Sequence, residues 1–448
     1  MDRREFIKTS AAAAAATGLA ACRRDIIDWE PDTTISGEME MRTSSRTGDK
    51  VSLLGYGCMR WQMIDGPDGK KIVDQESVNE LVDRAIEMGV NYFDSSPVYL
   101  MGQSEQATAK ALQRHPRESY YIATKLSNFS NWSYENSVLM YRKSLENYNT
   151  DHIDYYLLHS FGRMEDFNTR FANTGMMDFL MKEREAGHIR NLGFSFHGGP
   201  DSFEDILTQT HDKYHWDFVQ IQMNYVDWNS DSSAKRLYDA LTSRGIQVVI
   251  MEPLLGGALS NVPDYIAEQF KEKDPARSVA SWAFRFCGTW PNVLTVLSGM
   301  TYREHLEDNL KSFCGFTPLS EAELEFVDGM GAKIREFPTV PCTGCQYCMP
   351  CPYGIDIPGN FAHYNKCVNE GLVIEQPSDD ENDSEERKAF KKARRKFLAD
   401  LDRHIDPDRQ ADHCISCGKC LPKCPQHIRI PSELLKISRY TDKIKGSL

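Results

Sequence analysis

The chain has 448 residues, 52 Lys and Arg against 65 Asp and Glu, and a formal net charge of −13; 41% of its residues are hydrophobic and 26% charged. Those ordinary globular proportions exclude a collagen-like, largely disordered or polytopic membrane chain, and the acidic balance speaks against nucleic acid as a partner. At about 100 to 200 residues per domain the length allows two or three domains, or one large barrel with an appendage, and the 13 cysteines point to disulfides if scattered and to metal if run together.

The first stretch reads Asp2-Arg3-Arg4-Glu5-Phe6-Ile7-Lys8, a twin arginine ahead of an apolar pair and a lysine, followed by an alanine-rich run from Ser10 to Ala21. That run falls well short of the roughly 20 apolar residues that span a bilayer, so residues 1–21 read as a signal peptide and stand outside the fold. The order resembles a Tat signal, and Leu19-Ala20-Ala21-Cys22 resembles a lipobox, whose cysteine becomes the lipidated first residue. The resemblance implies an exported, periplasmic or cell-envelope lipoprotein held to the membrane through Cys22; the alternative is the frayed helical start of a cytoplasmic protein. Residues 22–45, with Gly, Ser, Thr and mixed charge, read as a tether.

From Val51 onward short β-rich runs alternate with amphipathic stretches, the pattern of a parallel sheet with crossover helices. Strands are expected at 51–56, 90–94, 119–124, 153–158, 190–195, 217–222, 246–251 and 293–298. Helices are expected at 75–88, led by Asp74 as N-cap, and at 103–114, 134–148, 174–187, 232–244 and 276–287. Eight such units predict an α/β fold, a (β/α)8 TIM barrel over residues 46–335, with its site at the C-terminal strand ends. Polar residues just past each apolar run are therefore the candidates: Asp94, Lys125 and His159, then Ser195, Gln222 and Glu252 on strands five to seven. Each alone is more often a satisfied structural group.

The set is more specific. Asp94 and Tyr99 lie five apart in Asn91-Tyr92-Phe93-Asp94-Ser95-Ser96-Pro97-Val98-Tyr99, ahead of Gly102-Gln103-Ser104-Glu105, then Thr124-Lys125 and Leu158-His159. This order resembles the aldo-keto reductases, whose tetrad is Asp, Tyr, Lys and His, and the resemblance spans about residues 48 to 315. It implies an oxidoreductase that interconverts a carbonyl and an alcohol on a small molecule. Reduction of a carbonyl puts negative charge on oxygen, which calls for a proton donor within reach. A free tyrosine, with a pKa of about 10, is a sluggish acid near neutrality. A neighbouring Lys125 ammonium favours the phenolate, Asp94 holds the lysine, and His159 orients the substrate oxygen.

The same resemblance implies that a nicotinamide would be held by a Ser and an Asn after strand five, a Gln on strand six and an aromatic platform on strand seven. Ser195 and Gln222 match; the Asn position is Phe196, followed by His197, and the platform is Met251, which offers no π-stacking. Gly299-Met300-Thr301 and a helix over 302–313 containing Glu307-Asp308-Asn309 resemble the loop for the adenosine phosphate end, where backbone N–H groups can meet phosphate. His305 stands where an arginine for the 2′-phosphate is common, with Arg303 nearby. NAD(P) use is accordingly the open part of the reading.

The cysteines define a second domain, residues 336–448. Cys342-Thr-Gly-Cys345-Gln-Tyr-Cys348-Met-Pro-Cys351-Pro352 is followed, after an insertion of 62 residues, by Cys414-Ile-Ser-Cys417-Gly-Lys-Cys420-Leu-Pro-Lys-Cys424-Pro425. The second run is C-x2-C-x2-C-x3-C-P, the bacterial ferredoxin signature for a 4Fe-4S cluster, while the first has one residue fewer before Cys351. A zinc ribbon is the alternative for paired C-x2-C motifs. Resemblance to two-cluster ferredoxins implies a small α+β domain with two 4Fe-4S clusters, in which the fourth cysteine serves the other cluster. It pairs Cys342, Cys345 and Cys348 with Cys424, and Cys414, Cys417 and Cys420 with Cys351. Between the runs, residues 375–386 carry seven acids and no base, and 387–396 seven bases and no acid. The first reads as a solvated loop and the second as an exposed helix face, open to an acidic redox partner or anionic lipid. Cys58, Cys287, Cys314 and Cys367 read as small buried hydrophobes.

Together these features resemble aldo-keto reductases that carry a C-terminal ferredoxin-like module and exchange electrons with an unidentified redox partner. Two readings stand beside it: an electron-transfer protein whose barrel is a binding scaffold, and a cytoplasmic NAD(P)H-dependent reductase with accessory clusters.

Overall fold

A computed structural model describes residues 35–230, 233–336, 339–374 and 385–446. Arg3, Arg4, Cys22 and most of the acidic loop, residues 375–384, lie outside the described residues. The described chain divides into two units, one running to Leu254 and including Pro275–Ile334, the other comprising Leu255–Asp274 and the residues from Arg335 onward.

The first unit is the expected barrel. Its strands are β1 Leu54–Gly57, β2 Tyr92–Asp94, β3 Tyr121–Leu126, β4 Ile153–Phe161, β5 Ile189–Phe196, β6 Phe218–Gln222, β7 Gln247–Met251 and β8 Val293–Ser298. They close into a parallel barrel in chain order, β8 pairing with β1 through Leu297↔Gly55. The near-continuous apolar runs of these strands follow from burial on both faces, inside against facing strands and outside against the helices. Tyr92, Tyr155, Phe218 and Leu294 fill the interior, with Tyr155 ring centroids 4.9 Å from Tyr92 and 5.3 Å from Phe218. Aromatic pairs at such spacings add about 0.5–1.5 kcal/mol each beyond area burial.

Helices form where amphipathic periodicity and caps agree. Asp74 does cap its helix, Gln75–Glu87, accepting from Ser77 N, and Ser133 caps Tyr134–Tyr148, whose bounds match the expected 134–148. The fifth crossover helix, Pro200–Tyr214, was not among those expected; Pro200 opens it at a position where a missing N–H costs nothing.

The first strand departs from expectation. Lys50–Ser52 pairs antiparallel with Met41–Thr43, and only Leu54–Gly57 enters the barrel. The tether expected as far as residue 45 is likewise shorter, since Met39 is buried and Glu40 N donates to Phe313 O. An unbroken apolar run cannot reveal where a chain changes partners.

The second unit packs helices Ile357–Asn369, Glu385–His404 and Ile430–Lys445 around Phe361, Phe397, Leu434 and Ile437. Its described residues hold helices and loops and no strand, where a mixed α+β build was expected; three long helices supply the apolar faces that a small sheet would otherwise bury. The basic run does lie on a helix, with Phe390, Ala393, Phe397 and Leu401 inward.

The two cysteine runs share one local design. The residues flanking the second cysteine are left-handed in both, Gly344 (φ 63°) and Gln346 (φ 65°) around Cys345, Ser416 (φ 56°) and Gly418 (φ 72°) around Cys417. Six residues after its fourth cysteine each run starts a helix with Ile-Pro, at Ile357-Pro358 and Ile430-Pro431. Glycine takes the positive φ freely at one position of each pair, and a polar side chain tolerates it at the other.

Candidate active site

The C-terminal ends of β2, β3 and β4 bring Asp94, Lys125 and His159 together with Tyr99, which follows β2. Lys125 is 1% exposed; its Nζ donates to Asp94 Oδ1 at 2.5 Å and to Ser95 O at 2.8 Å, and lies 5.0 Å from the centre of the Tyr99 ring. Burial pushes the Asp94 carboxyl above its usual range, and the Lys125 ammonium pulls it back. The loop after Tyr99 is strained: Leu100 (φ 51°) and Met101 (φ 56°) are both left-handed. Such backbone costs about 1–3 kcal/mol per residue and gathers at functional sites.

His159 stands edge-on to Tyr99, with ring centroids 5.7 Å apart at 81°. Its Nδ1 is tied to Ser127 Oγ at 2.5 Å, and Ser96 Oγ bonds Ser127 at 2.8 Å. Burial, reinforced by the charges of Lys125, His197 and Arg170, holds the imidazole well below its ordinary range, so it is neutral at pH 7. Arg170 donates to the carbonyls of His159 (2.8 Å) and Ser160 (2.7 Å) and to Asn128 Oδ1, and stacks on Phe129 and Phe171. Glu105 accepts from Thr124, Ser144 and Asn147, fixing β3 one residue before Lys125.

The residues expected around a nicotinamide are placed as follows. Ser195 is buried, and its Oγ accepts from Ser160 N at 2.8 Å, leaving its own proton to donate. Ser160 is itself left-handed (φ 49°), bonded at both ends to side chains rather than to the ladder. Gln222 Nε2 donates to Asp227 Oδ2 at 2.6 Å. Phe196 packs on Phe203 at 4.6 Å and cannot replace an amide, and half-buried Met251 ends β7, next to the left-handed Glu252 (φ 55°). Asn309 Nδ2 donates to Ser298 Oγ at 2.7 Å, and a Cβ on Gly299 would lie 2.7 Å from Arg60 Cγ. Arg303 is committed to Glu307 at 2.7 Å, which also takes Arg84 at 3.0 Å, so a 2′-phosphate would compete with a carboxylate for it. The Ser and Gln donors thus fit a carboxamide, while the aromatic platform and the phosphate clamp are absent among the described residues.

In the second unit eight cysteines line two hollows. One holds Cys342, Cys345, Cys348 and Cys424, the other Cys351, Cys414, Cys417 and Cys420, with Cys348 at the border of both. The Cys348 thiol is pushed up to about 12, by burial first and then by Cys345, Cys342 and Cys424; that of Cys420 rises by burial and by Cys414, Cys417 and Cys351. Gly344 N donates to Cys342 Sγ at 3.4 Å, the kind of backbone bond that stabilises a ligating sulfur. Four cysteines at each hollow, on a C-x2-C-x2-C spacing with a fourth cysteine from the other run, are a donor set that fits a 4Fe-4S cluster.

Comparison with known proteins agrees with both halves. Residues 53–332 match the Aldo/keto reductase family, residues 341–429 the 4Fe-4S dicluster domain, and residues 1–20 the TAT (twin-arginine translocation) pathway signal sequence. L-galactose dehydrogenase of Arabidopsis thaliana is 26% identical over 294 residues, 61% of this chain and 88% of that protein. An uncharacterized oxidoreductase of Bacillus subtilis is 25% identical over 292 residues, 58% and 87% of the two chains. In fold, an aldo-keto reductase of Bacillus halodurans in its holo form superposes with a TM-score of 0.53 at 22% identity, over 65% of this chain and 96% of that one.

Proposed function

This chain belongs to the aldo/keto reductase family, as an oxidoreductase with a 4Fe-4S domain and a Tat signal, and on that premise we propose that it interconverts a carbonyl and an alcohol outside the cytoplasm. Two clusters and a lipid anchor at Cys22 belong to the same proposal. A 4Fe-4S cluster, when bound, exchanges one electron at a time and a nicotinamide exchanges hydride. The chain's own residues handle the proton. Tyr99 gives its hydroxyl proton to the substrate oxygen as charge develops there, and Lys125, 5.0 Å from the ring centre, stabilises the phenolate left behind. Asp94 holds Lys125 in place, and neutral His159, anchored by Ser127, orients the substrate oxygen.

The observation that carries this reading is the buried Asp94–Lys125 pair beside Tyr99 and a neutral His159. Its test is turnover of 4-nitrobenzaldehyde by the full, cluster-loaded chain with NADH, NADPH or reduced methyl viologen. Tyr99→Phe is expected to lower the rate about 100-fold or more while leaving cluster absorbance unchanged; undiminished turnover would overturn the assignment. A second reading, a barrel that binds without hydride chemistry, draws support from Phe196 and Met251. It gains if denaturation of the purified protein releases no nicotinamide.

A further inference from the structure

The two cysteine-lined hollows differ in surroundings, and the difference assigns them different tasks. The hollow of Cys342, Cys345, Cys348 and Cys424 is lined by no Lys, Arg, Asp or Glu. Thr343, between its first two ligands, is 2% exposed, and a Cβ on Gly256 would come within 2.3 Å of Thr343 Cα, so the segment from Leu255 covers this side. The other hollow has exposed and charged residues around it. Cys417 is exposed, and the rim carries Ile415 at 60% exposure and Tyr353 at 45%, with Lys419 and Lys423 in its wall. Leu421, 44% exposed, lies in the same loop.

Exposed large apolar side chains around a ring of thiols are costly unless something covers them. The charge says what. From Cys414 to Arg429 the chain carries Lys419, Lys423 and Arg429 and no acid, on a protein of net charge −13. The acids next in sequence on either side, Asp412 and Glu433, do not line the hollow. Exposed apolar side chains set beside lysines on one surface are the build of a transient protein interface. The basic helix Glu385–His404 lacks the apolar part, contributing no exposed large hydrophobic residue, and Lys388 and Lys396 are engaged with Glu385 and Glu370.

We propose that the rim of Tyr353, Ile415, Lys419, Leu421 and Lys423 is the docking surface for an acidic one-electron carrier protein, and that the Cys351, Cys414, Cys417 and Cys420 side is where electrons pass to or from it. This rests on the reading that the 4Fe-4S domain exchanges electrons with a partner. The probe is flavodoxin, a small acidic one-electron carrier, bound to the full, cluster-loaded chain and followed by association rate and calorimetry at low and high salt. The unsubstituted protein is expected to bind, more weakly as salt rises. Lys419→Glu with Lys423→Glu lowers the low-salt association rate about tenfold or more, and the difference fades at high salt. Ile415→Ser weakens binding at both salts, while Lys391→Glu with Lys392→Glu leaves it unchanged. If the charge reversal costs iron, Lys419→Gln with Lys423→Gln carries the comparison.

Failure of the unsubstituted protein to bind, indifference to the rim lysines, or loss of binding on reversal at the helix instead would each overturn the assignment. Turnover of 4-nitrobenzaldehyde with reduced methyl viologen, measured on the same preparations, tests the carbonyl reading separately, because it needs no protein partner.

Discussion

Replacing Lys125 by methionine keeps the volume of the side chain and removes its charge, leaving Asp94 alone in a site where the pair is 1% and 4% exposed. Breaking a buried pair by deleting one partner costs about 3–5 kcal/mol, whereas deleting both charges is often close to neutral. Asp94 is already pushed up by burial, and without the ammonium only the smaller pull of the Gln220 side chain opposes it. A carboxyl whose folded value lies above its unfolded value of about 3.9 contributes most below that pH and loses the contribution as pH rises through the folded value. Lys125→Met should therefore lose least stability near pH 4 and progressively more as pH rises, up to about 3–5 kcal/mol, and Asp94→Asn with Lys125→Met should recover most of it. Urea unfolding followed by tryptophan emission reports mainly on the right unit, because six of the seven tryptophans, Trp61, Trp132, Trp216, Trp228, Trp282 and Trp290, belong to the barrel. A single variant as stable as the parent at pH 8, or a double variant no better than the single, would refute the account. Turnover should fall in both, since Tyr99 loses its cation either way.

At the opposite end of β4, Asp154 is fully buried and accepts from Arg117 (2.6 Å), Ile122 N (2.8 Å) and Arg190 (3.2 Å). Burial pushes its carboxyl up, but His152, Arg117 and the Ile122 N–H outweigh that and hold it below the usual range, so its stabilisation is present above about pH 4 and lost as pH falls through the folded value. Asp154→Asn should cost about 3 kcal/mol at neutrality and flatten the acid side of the stability curve, read by the same urea titration. Ser127→Ala should lower kcat about fivefold through loss of about 1 kcal/mol of positioning at His159 and shift the pH–rate profile, with Ser127→Thr restoring both. If the fourth cysteines cross over, Cys424→Ala and Cys345→Ala should produce one and the same loss in iron content and spin-resonance signal, and Cys351→Ala and Cys417→Ala the other; a match of Cys424 with Cys417 would reverse the pairing.

The barrel was legible because buried parallel strands write themselves as short apolar runs, and the barrel rule converts each run's end into a place to look. Asp94, Lys125 and His159 were candidates on that rule, and Tyr99 joined them only through the resemblance to the aldo-keto reductase tetrad. Ser96, Ser127 and Arg170 were not, because serines in loops and an arginine in the turn after β4 carry no periodic signal; their roles arise only when three strand ends meet. The break at Leu53 was hidden because Val51 to Tyr56 is buried throughout, whichever partner each residue serves. The membership of Leu255–Asp274 in the second unit depends on packing across some 80 residues of sequence, such as Gly256 on Thr343. One signal was present and unused: Ile355-x-Ile357-Pro358 and Ile428-x-Ile430-Pro431 stand at the same distance from their cysteine runs, a duplication readable without coordinates.

That duplication bears on how 13 cysteines should be understood in a chain with an export signal. No disulfide joins any of the twelve described cysteines. Four of them, Cys58, Cys287, Cys314 and Cys367, are buried, and burial raises each thiol, Cys367 to about 12, which keeps them protonated and poor in exchange. The other eight line two hollows, in two loops that share the same left-handed turns. Cysteines so gathered suit reduced, ligating sulfurs, and clusters held there would have to be in place before any passage to an oxidising compartment. A translocation route that carries folded chains meets that requirement, and it ties the signal of residues 1–20 to the turns around Cys345 and Cys417.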